Sequence, residues 1–262
     1  MKTQVICEVG SNWKTLDDIK RSIEFARSVG ALSKLQLWQT DKFVRKSNKN
    51  YEVYKRYELK QSWVHQIMAE DVFYTPFDYE SVMFLKTCIN PQYYKISLLD
   101  SNQQWLIDSI ARTNKKCFMS VGIYGLESIR QSVRWYSDVG NIHNLTLMHA
   151  IADYKSCDYQ LGYMRDRING SRLIPWGISL NNPSVILPAV AVGLGCQSAE
   201  VHFRLDHIKN TPDAPHSVTR KMVLEMVRNI EEVERNMGNV ERPLECERVN
   251  IKAGMRGKEG RR

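Results

Sequence analysis

Glu200 and His202 lie two residues apart in the apolar stretch Ala199-Glu200-Val201-His202-Phe203. On a strand, that spacing turns a carboxylate and an imidazole to the same face. Burying both is costly unless each is bonded, which leaves two readings open: a hydrogen-bonded core pair, or a metal or substrate site. Comparable groups follow other short apolar runs: Glu8, then Lys34 and Gln36, Thr75 and Asp78, Lys95 and Asp100, Ser120, His149, and Ser179 with Asn181. Buried ammonium groups need anions. With the hydroxyls of Thr75, Ser120 and Ser179 as further donors, the set suits a small, multiply charged anion such as a phosphorylated acid. The competing reading is internal pairing, Lys95 with Glu8 for example, which would leave less charge for a ligand.

The elements needed to carry these residues alternate along the chain. Strands are expected over 3–9, 32–38, 72–77, 93–98, 117–121, 145–151, 172–179 and 198–203, and helices over 16–29, 62–70, 79–88, 102–112, 126–136, 159–168, 185–195 and 218–237. Thr15 or Asp17 should open the first helix and Gly30 close it, and Ser62 should cap the second. About eight strand-helix units predict a (β/α)8 TIM barrel over residues 1–240, followed by a basic tail over 241–262. An open doubly wound sheet is the main alternative. In a barrel the carboxyl ends of the strands form the mouth, and the chemically able residues sit at those ends.

Composition narrows the function classes. The net charge of +8 is concentrated in residues 42–60 and 248–262, which fits either a lid over an anionic small molecule or a patch for phosphate backbones. Tyr51, Tyr54 and Tyr57 interleave with Lys49, Lys55 and Arg56, but at helical spacing they read as a packing stripe, so nucleic acid is not the expected partner. Six scattered cysteines without a C-x-x-C pair read as reduced core residues. No apolar run approaches the ~20 residues that cross a bilayer, and the chain starts directly into a strand, so a cytoplasmic protein is expected. A homodimer through the barrel faces is compatible with the pattern, although no motif signals it.

Seven motifs taken together resemble a known family. Ile6-Cys7-Glu8-Val9-Gly10-Ser11-Asn12, Lys34-Leu35-Gln36, Tyr51-Glu52 through Glu58-Leu59, Thr75-Pro76-Phe77-Asp78, Tyr94-Lys95-Ile96, Ser120-Val121-Gly122 and Glu200-Val201-His202-Phe203 are similar, in order and spacing, to the catalytic barrel of the sialic acid synthases, over residues 5–237. That family condenses phosphoenolpyruvate with the open-chain aldehyde of an N-acetylated sugar and releases phosphate. The resemblance implies that Lys34, Thr75, Lys95, Ser120 and Ser179 hold phosphoenolpyruvate, and that Glu8, Gln36, Tyr154, Asp100 and Asp213 face the amino sugar. It also implies that His202 is one of two imidazoles on a divalent cation, Mn2+ or Mg2+, that polarises the aldehyde.

The departures bear on each of these roles. The family's Gly-x-Ser-Asp-His-Thr is here Gly177-Ile178-Ser179-Leu180-Asn181-Asn182, so Asn181 stands where the second imidazole is expected. An amide oxygen is a poorer ligand for such a metal, and affinity should be weakened or lost. In the related ketodeoxyoctulosonate phosphate synthases an Asn at a ligand position goes with metal-free catalysis, so activity does not depend on this point alone. Leu98 and Leu99 replace a serine and a glycine, Ala152 replaces an asparagine, and Val201 replaces a lysine. The family's small antifreeze-like domain, which lends an arginine to the partner's site, has no counterpart in residues 241–262. These departures motivate a second expectation, a non-catalytic barrel serving as a binding or partner subunit.

Overall fold

In a computed structural model of the chain, residues 3–153, 158–162 and 174–237 are described. Eight strands alternate with helices: β1 (Gln4–Glu8), α1 (Leu16–Ser28), β2 (Leu32–Leu37), the short helices α2 (Thr40–Phe43), α3 (Tyr51–Arg56) and α4 (Gln61–Ile67), and β3 (Val72–Pro76). There follow α5 (Tyr79–Phe84, prolonged by a π turn), β4 (Tyr93–Ile96), α6 (Gln104–Ala111), β5 (Lys116–Val121), α7 (Gly125–Val139), β6 (Leu145–Ala150), β7 (Trp176–Leu180), α8 (Leu187–Gly193), β8 (Ser198–His202) and α9 (Arg220–Met237). All eight strands pair in parallel, and β8 closes on β1 with Glu8 opposite His202. The chain is therefore a closed (β/α)8 barrel, and the open-sheet alternative falls.

Local signals explain where elements begin and end. Thr15 caps α1 through a reciprocal box with Asp18, and Gly30 takes φ +71 just beyond the helix. The second expected cap is corrected: α4 starts at Gln61, so Ser62 lies inside its first turn, and the cap position falls to Lys60, which makes no side-chain cap bond. Asp78, at the end of β3, caps α5 through Ser81 and also accepts from Gln39 N, which ties the exits of β2 and β3 together. Along α9 the buried Val223, Met226 and Ile230 form the inward stripe. Of the expected helix over 159–168 only Leu161 and Gly162 are described as helical, and Tyr154, Cys157, Cys246 and the tail over 241–262 lie outside the described residues. Cys7, Cys117 and Cys196 are buried as expected, whereas Cys88 is exposed because it lies on the outer face of the π turn.

The barrel lumen is layered by the strand period of two. Ile6, Leu32, Phe73, Phe118 and Met148 form an apolar plug, each side chain worth about 2 kcal/mol relative to exposure. Gly177 makes room for it, since a Cβ there would stand 2.3 Å from Met148 Sδ. Two residues further along the same strands come Glu8, Lys34, Thr75, Ser120 and Ala150. A polar layer thus rests on a dry floor, on the side where the strands end.

Candidate active site

The cavity at the mouth measures about 300 Å3 and is lined by strand-end residues from all around the barrel. Of the sequence-derived candidates, Glu8, Lys34, Gln36, Thr75, Lys95, Ser120, Ser179, Asn181 and His202 line it. Leu98, Leu99 and Ala152, the departures noted above, line it too, with Phe77 and Ser97. Leu98 is half-buried and Leu99 is 61% exposed, so the pair forms part of the wall and rim.

The polar layer is a chain of alternating charges. Lys34 pairs with Glu8, reaches Glu200 Oε1 at 3.4 Å and donates to Thr75 Oγ1 at 3.1 Å. Lys95 Nζ lies 2.9 Å from both oxygens of Glu200, and Ser179 Oγ donates to Glu200 Oε1 at 2.9 Å. Internal pairing, the competing reading, does occur but with other partners than Lys95 and Glu8: closure of the barrel sets Glu8 on β1 beside Lys34 on β2, and Glu200 on β8 within reach of Lys95 across the lumen. Burial alone would raise the Glu200 carboxyl, but the Lys34 and Lys95 ammoniums outweigh it and hold the group at about 2. Burial pushes Lys34 below the ordinary lysine range, with Glu200 opposing. Ser120 Oγ and Glu8 Oε1 are buried with no hydrogen-bond partner among the described residues.

His202 stands above this layer with Nδ1 3.9 Å from Asp213 Oδ2. Burial lowers its pKa, with Asp213 opposing. Asp213 belongs to the loop after β8 and does not line the cavity. Ser11 N donates to its Oδ2 at 2.7 Å, and Asn12 anchors the same loop through Phe203 O, Ser217 Oγ and Thr211 Oγ1. Gly10 has φ +50, and a Cβ there would stand 2.4 Å from Asp213 Oδ2, so only glycine lets that carboxylate approach. Asp100 is also absent from the lining; it accepts from Ser97 Oγ at 2.5 Å, and burial pushes its carboxyl up. His149 is buried against Tyr159 O at 2.7 Å, outside the lining, and burial lowers its pKa.

A divalent cation held by paired imidazoles does not fit this geometry. Asn181 Nδ2 donates to Ile151 O at 2.7 Å, and among the described residues no three His, Cys, Asp or Glu side chains converge to hold a metal ion. The sequence leaves Glu200 open between a core pair and a site residue, and the structure places it in the cavity lining. The signal available was a count of charge: two buried lysines require two anions, and Glu8 supplies one.

The model of the NeuB family matches residues 14–242, most of the chain. The chain belongs to the NeuB family. Among its relatives, an uncharacterised protein of Methanocaldococcus jannaschii is 30% identical over 257 residues, covering 94% of this chain and 75% of that one. The pseudaminic acid synthase of Campylobacter jejuni is 24% identical over 265 residues, covering 91% and 76%. In solved structures, the N-acetylneuraminic acid synthetase of Leptospira borgpetersenii, determined in complex with citrate, superposes with a TM-score of 0.87 at 20% identity, over 97% of this chain and 92% of that chain. That likeness supports the barrel fold and no more. No described helix of this NeuB-family barrel is long and apolar enough to cross a membrane.

The basic excursion after β2 is packed down at the mouth. Tyr54 meets Trp38 and Phe43, Tyr57 meets Trp13, and Tyr51 donates to Asp41 at 2.5 Å. Tyr54 and Tyr57 therefore serve as the packing stripe that their spacing suggested, and Tyr51 as a surface tether.

Proposed function

We propose that this chain is a synthase that joins phosphoenolpyruvate to the aldehyde of an N-acetylated amino sugar, giving a nonulosonic-acid-type product and free phosphate. The observation that carries this reading is the convergence of Lys34, Lys95, Thr75, Ser120 and Ser179 in one cavity at the mouth of a NeuB-family barrel. Lys95, Ser120 and Ser179 receive the carboxylate and phosphate of the enol acid; Lys34 and Thr75 complete the anionic pocket. Glu8 and Gln36 orient the acceptor. C3 of the enol acid bonds to the aldehyde carbon, whose oxygen takes a proton. Water adds at C2, and the C2–O bond breaks to release phosphate. The dry floor beneath excludes bulk water from the reacting atoms.

A second reading, a barrel repurposed for binding a partner, is favoured by one observation: Lys34 and Lys95 are already matched by Glu8 and Glu200. Calorimetric titration with phosphoenolpyruvate, with and without Mn2+, separates the two. Binding in either condition supports the synthase; absence of heat in both, confirmed by absence of phosphate release with N-acetylated hexosamines, would sink it.

A further inference from the structure

Glu200 is more than a neutralising partner. An ammonium has three N–H donors. Those of Lys34 are spent on Glu8, Glu200 and Thr75, and two of Lys95's go to the two oxygens of Glu200. Ser179 adds a third donor to the same carboxylate. Among the groups that could receive an anion, Ser120 Oγ is the one buried without a hydrogen-bond partner among the described residues. Lys34 is therefore engaged by Glu8 on β1, Glu200 on β8 and Thr75 on β3, and two of the three donors of Lys95 are engaged by Glu200.

We propose that Glu200 is the specificity-determining residue of this mouth, an internal carboxylate that an incoming anion must displace from Lys95, so that only a ligand of at least two negative charges binds. The inference deepens the synthase reading and rests on its premise that the mouth receives an anion. Glu200 lies 3.4 Å from Lys34 but 2.9 Å from Lys95 through both oxygens, so Lys95 is its principal partner and the cation to be won. A tethered carboxylate competes at high effective concentration. A monocarboxylate offers Lys95 nothing that Glu200 does not already give. A phosphate dianion, or a phosphorylated acid, brings additional charge and oxygens to Lys95, Ser120 and Ser179, and displaces Glu200 at a net gain. The device selects a phosphorylated enol acid over its dephosphorylated keto acid without any contact to the carbon skeleton.

The probes are inorganic phosphate and acetate, titrated calorimetrically into the wild-type chain, Glu200→Gln and Glu200→Asp. Wild type should bind phosphate and not acetate. In Glu200→Gln phosphate should bind at least about tenfold more tightly and acetate should become measurable; Glu200→Asp, whose shorter side chain retracts the carboxylate, should fall between. If circular dichroism shows that Glu200→Gln does not fold, Glu200→Asp against wild type decides. Unchanged or weaker phosphate binding in the folded variants, or unchanged discrimination against acetate, overturns the proposal. So does tight phosphate binding that survives Lys95→Met in the Glu200→Gln background, because the anion would then lie elsewhere. Phosphoenolpyruvate is titrated separately. The expected phosphate ranking without phosphoenolpyruvate binding or turnover would keep this inference and remove the synthase reading, and turnover with a flat ranking would do the reverse.

Discussion

Lys95 on β4 and Glu200 on β8 are joined by two 2.9 Å contacts across the barrel lumen, 105 residues apart in sequence. Both side chains are buried, at 3% and 6% exposure. Breaking such a pair from one side costs more than the pair contributes, because it strands a charge. Lys95→Met should lower unfolding free energy by about 3–5 kcal/mol in urea titrations. Combining Lys95→Met with Glu200→Leu should recover a large part of that loss. Additive destabilisation by the two changes would contradict the pairing.

The same carboxylate predicts a limb in the acid stability curve. Glu200 is held at about 2, below its ordinary 4.5, so the unfolded chain binds more protons than the folded one between those values. Its stabilisation is present above about pH 4.5 and is lost as pH falls toward about 2, an effect of about 3 kcal/mol. Chemical denaturation of wild type and Glu200→Gln across that range should show curves that converge as the pH drops. Parallel curves would remove Glu200 as the source.

Gly10 is required by both its backbone and its neighbour. With φ +50 and a Cβ position 2.4 Å from Asp213 Oδ2, Gly10→Ala should destabilise the barrel by at least about 2 kcal/mol and push Asp213 away from His202. Thermal melting reads the first effect. The imidazole proton shifts of His202 read the second; an unmoved resonance in a destabilised variant would show that Asp213 is not set by this approach.

Asn12 is fully buried and gives its whole side-chain amide to the loop after β8. Asn12→Ala should cost about 2–4 kcal/mol and expose residues 203–218 to proteolysis before the barrel unfolds. Limited digestion with mass spectrometry gives the order of cleavage. First cuts elsewhere would place the anchor of that loop in other contacts.

Much of this molecule is legible without coordinates, for a physical reason. Strand-helix alternation is written in local hydrophobic periodicity, and eight repeats of it leave few ways to bury every strand; the barrel, the mouth and the strand-end positions of Lys34, Lys95, Ser120, Ser179 and His202 follow. Ser62 falls inside the first turn of α4 instead of capping it, because a cap depends on where the backbone turns, which one residue type does not determine. Charge pairing was the part left to tertiary structure. Which carboxylate meets which lysine depends on barrel closure and on side-chain reach across the lumen, and neither is recorded in sequence distance. The folded barrel put Glu8 with Lys34 and Glu200 with Lys95, brought Asp213 to His202 by way of Gly10 and Asn12, and tied Asn181 to Ile151. The sequence thus determined that cations and hydroxyls gather at the mouth; the fold decided that the cations arrive there already engaged.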